Sequence, residues 1–200
     1  MFRASTLLSV STVLLAAGCA LNRSQIKSLR DSDARRIRFD TVTTTTITAL
    51  NAIPSHCGPA RNHRVHDEEF RVYQVVGRIA RVKREPDHDI HMVLEDPDNP
   101  GERLVVESDD PDWRGNHASP YRDQLAAARR MLDDIIAEAT DHRVDGMLVR
   151  VTGVGFFDPA HFQVGRSRSC IELHPILSIE RAFAKADSVR TKKYQPTLRK

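Results

Sequence analysis

The sequence predicts a mainly β fold, a five-stranded OB-like barrel of order β-β-β-α-β-β with one helix between strands 3 and 4. Three observations predict it. Phe70 to Lys83 (FRVYQVVGRIARVK) alternates apolar and polar residues with a change of phase around Gly77, as a long strand with a bulge or sharp bend does. A helical period is confined to one segment between the third and fourth strand candidates, and two further alternating runs follow it. A bent, glycine-containing first strand is what closing a small barrel requires.

Taken in order, Asp87, His88 and Asp89 make a polar turn after the first strand. Ile90, Met92 and Leu94 then share one face of the second strand, with His91, Val93 and Glu95 on the other, which predicts a hairpin with a charged solvent face. Asp96-Pro97-Asp98-Asn99-Pro100-Gly101 is a turn, and Arg103 to Glu107 is the third strand. In Ser119 to Glu138 a Ser cap precedes Pro120, and Leu125, Ala128, Leu132, Ile135 and Ile136 mark one helix face. Met147 to Phe157 and Ile171 to Ile179 are the last two strands, and Pro175 restricts the final one to an edge or a bulge. Glu172 and His174 share a face there and read as a polar, partly buried network at the barrel seam.

The ends have a different character. Residues 1–18 form an export-type signal, with Arg3 followed by an uncharged stretch from Ala4 to Gly18. Leu14 to Cys19 (LLAAGC) resembles the lipobox of bacterial lipoproteins, which implies acylation of Cys19 and a lipid anchor at the periplasmic face of the outer membrane. An ordinary cut after Ala20 is the alternative. Residues 19–40 are polar and charged and predict a disordered tether, 41–69 an extended leader, 70–182 the OB-like domain and 183–200 a basic disordered tail. With Cys19 set aside, Cys57 and Cys170 remain, and an even pair in an oxidising compartment predicts a disulfide.

Val151 to Asp158 (VTGVGFFD), with Ile171 to Pro175 (IELHP) and Asp87 to Leu94 (DHDIHMVL), resembles an uncharacterised family of exported bacterial OB-like proteins. That resemblance implies an OB-like module in secreted or envelope proteins and supplies no activity. The function expected is therefore an envelope-tethered, non-catalytic binding module of unknown ligand. OB barrels bind across strands 2 and 3 and between the loops joining strands 1–2 and 4–5. The candidate ligand-binding residues are accordingly Asp87, His88 and Asp89 on one side and His161, Phe162, Arg166 and Arg168 on the other. A polyanion or a glycan of the envelope suits guanidinium groups beside an aromatic face.

Net charge is only +3 and much of the basic excess lies in the tail from Arg181, so the charge balance does not itself mark a nucleic-acid binder. With one tryptophan, Trp113, stacking platforms are scarce, and nucleic acid is expected to be an unlikely partner. The catalytic alternative is a resemblance to thermonucleases, which implies a metal-dependent phosphodiesterase using Asp87, Asp89, Arg103, Glu107 and Asp109. Arg103 stands one residue too close to Glu107 for that pattern. No metal site and no cofactor are expected: His88 and His91 point to opposite faces of a strand, and His63 and His66 belong to no compact ligand set.

Overall fold

The computed structural model describes residues 23–59, 61–113, 115–139, 146–159 and 164–183. Five of its strands close a barrel: β2 (Arg71–Arg84), β3 (Ile90–Glu95), β4 (Arg103–Ser108), β5 (Leu148–Phe157) and β6 (Ile171–Arg181). Their order is β2-β3-β4-β6-β5, with β5 returning to pair with β2 and β4 running parallel to β6. This is the OB-fold expected from the sequence. A further strand, β1 (Arg38–Thr44), lies parallel to β2 outside the barrel.

Strand β2 closes the barrel because it serves two partners. Val72 to Arg78 pair with β5 and Arg78 to Arg84 with β3, with a register irregularity between Ile79 and Arg81. A Cβ on Gly77 would lie 2.9 Å from both Ile47 Cδ1 and Leu94 Cβ, so the bend needs a glycine to let the core approach. Helix α3 (Arg122–Ala139) packs on β6 and sends Ala128, Leu132 and Ile135 into the barrel core. It starts two residues later than the cap at Ser119 predicts. Ser119 instead ends a 3-10 turn, and its Oγ accepts from Tyr121 N at 3.1 Å.

Two stretches differ from expectation. The threonine-rich leader is a strand only to Thr44. Thr46 then caps helix α2 (Ile47–Asn51), accepting from Ala49 N at 3.0 Å, and Ile47 and Leu50 enter the core. The expected disordered tether is packed from the first described residue: helix α1, described over 23–27, leads into a strap that reaches β1. Its few apolar residues are all used, with Ile26 and Leu29 fully buried and Leu29, Ala34 and Ile37 packed on the outward-facing Val72, Val154 and Leu177. The buried Arg64 ties the strap down, donating to Ile26 O at 2.9 Å and pairing with Asp31 at 3.3 Å.

The hairpin of β3 and β4 needs the same correction. Its second face is not solvated: His91 and Val93 are buried, and Gly165, in the loop after β5, sits where a Cβ would clash with Val93. The Cys57–Cys170 disulfide is present, with Cα atoms 5.2 Å apart. The signal with Cys19 and the tail from residue 184 lie outside the described residues. Among the described residues, no helix is long and apolar enough to cross a membrane.

Candidate functional site

Three strands deliver ionisable side chains to one patch on the outer face of the barrel. The β3–β4 register sets His91 opposite Glu107, and the parallel β4–β6 register, Val105 against Glu172, brings Glu172 and His174 alongside. Pro175 follows a cis peptide bond, and the pairing skips there: Ile176 faces Gly153 but Leu173 faces Gly155. This is the bulge that Pro175 predicts. A bulge re-aims the side chains beside it, and beyond this one Leu177 joins the outer cluster rather than the barrel core. The residues are more deeply buried than expected, with Glu172 and His174 both at 1 % exposure or less.

The contacts form one network. His91 Nδ1 lies 2.7 Å from Glu107 Oε1, and Lys27 from α1 donates to Glu107 Oε2 at 3.1 Å. His174 Nε2 makes a short bond with Asp109 Oδ1. His174 Nδ1 lies 2.8 Å from Glu107 Oε2, near enough for charge attraction but out of line for a hydrogen bond. Asp89 accepts from Asp110 N at 3.1 Å. Neither carboxylate oxygen of Glu172 has a hydrogen-bond partner. At the edge, the Arg23 guanidinium lies 4.0 Å over the Phe156 ring and 2.9 Å from Asp158.

Crowded carboxylates without water shift their own affinities for protons. Burial, and then the neighbouring Asp109, push Asp89 up to about 7. Burial and the charges of Glu107 and Asp158 hold Glu172 well above the carboxylate range. Burial opposes the charge of Glu107, but Lys27 and His174 outweigh it and keep that carboxyl well below its ordinary value. His174 is raised to about 10: burial and Lys27 oppose its proton, and Asp109 and Glu107 more than restore it.

Above the network is a cleft of about 540 Å³, between the β2–β3 turn and the loop after β5. Lys27, Arg81 and Lys83 line it with Asp87, Asp89 and Val164. Arg81 is exposed and holds no ion pair with another described residue, whereas Lys83 is paired with Glu85 at 2.7 Å.

The candidate binding residues divide accordingly. Asp87 and Asp89 line the cleft. His88, at φ 70°, turns away to pair with Asp110 at 3.2 Å and pack on Trp113. Arg168 stands at the other end of β3, paired with Glu102 at 2.5 Å, because the disulfide holds its loop against the segment after α2. Arg166 is exposed, and His161 and Phe162 lie outside the described residues. Of the nuclease-type set, Asp89, Glu107 and Asp109 converge, but Arg103 begins β4 at the far end and pairs with Glu95 at 3.3 Å. The arginine that such chemistry places against the scissile phosphate is therefore not brought to these carboxylates. Lys27 and His91 are members of the site that sequence reasoning missed. The pairing of His91 with Glu107 follows from the seven residues, 96–102, between the paired Glu95 and Arg103, one more than the turn read from the sequence. Lys27 carries no such signal. Of the four histidines set aside as metal ligands, His66 stacks on His56 at 3.5 Å between centroids.

No family model and no curated protein matches the chain. Solved structures with a similar course include the Stn1–Ten1 complex of S. pombe, at 18 % identity and TM-score 0.32, over 61 % of this chain and 65 % of that one. A replication protein A heterotrimer bound to single-stranded DNA is 11 % identical at TM-score 0.36, over 76 % and 89 %. Entamoeba histolytica asparaginyl-tRNA synthetase is 8 % identical at TM-score 0.34, over 78 % and 28 %. Since a structure solved on single-stranded DNA stands among these, the expectation that nucleic acid is an unlikely partner is withdrawn.

Proposed function

We propose that the protein is an exported, envelope-tethered OB-type binding module, non-catalytic, that takes an anionic ligand in the cleft over β3 and β4. The observation that carries this reading is Arg81, unpaired among the described residues, on the wall of a 540 Å³ cleft where OB barrels bind their ligands. A guanidinium presents a fork of donors to a phosphate or carboxylate, and Asp87 opposite it can accept from hydroxyls or amines of the same ligand. The export signal and Cys19 support tethering. The buried Glu107 supports the absence of catalysis, since His91 and Lys27 engage both of its oxygens.

Fluorescence anisotropy with three probes tests it: a labelled single-stranded oligonucleotide, muropeptides with free carboxylates, and neutral dextran oligomers. Saturable binding of either anionic probe, weakened about tenfold or more by Arg81→Ala, is expected, and the probe that binds identifies the source of the anion. Binding of dextran alone, or anion binding unchanged in Arg81→Ala, overturns the reading.

A further inference from the structure

The network beneath the cleft has the makings of a metal centre. Asp89, Glu107 and His174 each offer one ligand atom, and the three atoms lie within 4.8 Å of one another. All three residues are nearly or fully buried, at 6, 5 and 0 % exposure, and they come from three separate strands or strand ends. Two zinc ligands at the usual 2.0–2.1 Å from the ion stand roughly 3.4 Å apart, so side-chain rotations of an ångström or so would close the set.

Independent of that proximity is the state of the buried donors. A polar atom without a partner in the interior is costly, and its presence calls for an explanation. His174 Nδ1 has no hydrogen bond although it is fully buried and faces the Glu107 carboxylate. Glu172, on the same face of β6, leaves both oxygens unpartnered at 1 % exposure. The other nitrogen of His174 is held by Asp109, and the other oxygen of Glu107 by His91. A carboxylate behind a histidine fixes the ring and raises its basicity at the opposite nitrogen, which is how metal-binding histidines are oriented. Access is through the cleft, whose lining includes Asp89 and Glu107. Lys27, whose side chain is 24 % exposed, occupies the carboxylate from that side and can withdraw toward solvent.

We propose that Asp89, Glu107 and His174 form a binding site for a divalent transition-metal cation of the zinc or manganese kind, with the unpartnered Glu172 carboxyl beside them on β6. One imidazole nitrogen with carboxylate oxygens suits these ions, whereas calcium takes six to eight oxygens that this buried pocket does not offer. The site does not depend on the anionic ligand proposed above, because the cation is held below the cleft floor by the chain's own residues.

The test uses the tag-free full chain with its disulfide intact, stripped with EDTA and titrated calorimetrically with zinc, manganese and calcium chlorides, with no anionic probe present. One equivalent of zinc or manganese per chain is expected, with calcium binding at least tenfold weaker. Asp89→Asn should weaken the metal tenfold or more and His174→Gln should abolish it, while His63→Gln, in an exposed loop, should leave it unchanged. Absence of a one-equivalent transition in the wild-type chain overturns the proposal whatever the variants do. So does undiminished binding in a folded Asp89→Asn chain, or a preference for calcium.

Discussion

Cutting the Cys57–Cys170 bridge by Cys57→Ala removes a link across 113 residues and leaves Cys170 in its buried place. In the chain-entropy treatment, a loop of that length costs the cross-linked unfolded chain about 16 cal/mol/K, or roughly 4.8 kcal/mol at 25 °C. Residual structure in the denatured chain reduces the figure, so a loss of about 2–4 kcal/mol is expected. The folded state should change little, because the two segments are also joined by His56 N to Ser169 O at 3.1 Å and by Ser169 Oγ to Leu50 O at 2.9 Å. The assay is urea unfolding followed by far-ultraviolet circular dichroism, comparing the oxidised wild type with Cys57→Ala. Hydrogen exchange at the amide of His56 reports whether the leader opens first. A difference below about 1 kcal/mol, with the slope against urea unchanged, would refute the entropic reasoning.

Three further outcomes follow from the packing and the charges. Leu29→Ala should cost about 2–4 kcal/mol, because Leu29 is fully buried under the strap, whereas in a free tether it would cost nothing measurable; urea midpoints decide. Lys27→Met should cost about 2 kcal/mol at pH 7, less than for a wholly buried pair since Lys27 is 24 % exposed at its side chain, and the midpoint should stay at the wild-type value if the Glu107 contact is idle. With EDTA present, stability should fall as pH rises from 6 to 9. Asp89 takes up its proton near pH 7 when folded but near 3.8 when unfolded, so its protonation adds stability as pH falls through 7. For His174, folded near 10 and 6.5 when unfolded, stability is fully present below 6.5 and is lost as pH rises through 10. Each pH unit over which a proton is held in one state and not the other is worth about 1.4 kcal/mol, so the two groups together amount to about 4–5 kcal/mol over that interval. A flat or rising profile of urea midpoints would contradict the assigned charges.

The barrel was legible because its strands are amphipathic in the ordinary way. Ile90, Met92 and Leu94 alternate, Gly77 marks the bend, and Pro175 marks the bulge. The two cysteines also declared themselves, since setting Cys19 aside leaves them as a pair. The strap was not legible, because with only Ile26, Leu29, Ala34 and Ile37 it lacks the apolar content that ordered segments usually show. It is ordered because the surface it covers is polar as well, so Arg23, Lys27 and Asp31 are absorbed in ion pairs with Asp158, Glu107 and Arg64. The site was half legible for a related reason. Asp89, Glu107 and Asp109 stood out along the chain, but His174 is 65 residues from Asp109 and is joined to it by the parallel pairing of β4 with β6, and Lys27 is 80 from Glu107 and is brought there by α1.

Strand β6 has hydrocarbon on one side and ionisable groups on the other, with Ile171 and Leu173 turned inward and Glu172 and His174 outward, all of them dry. Strands covered on both faces by apolar residues can slide by one residue at modest cost, since either set fits either side. Here a slip of one residue would send His174 into the barrel interior among Leu104, Leu132 and Ile179, away from Asp109 and Glu107, and strand Leu173 against Glu107. Burying an unpaired charge costs several kcal/mol even after relaxation, so the misaligned barrel is excluded energetically rather than merely disfavoured. The charged patch thus acts as a key that admits one alignment of the closing strand, whatever else it binds.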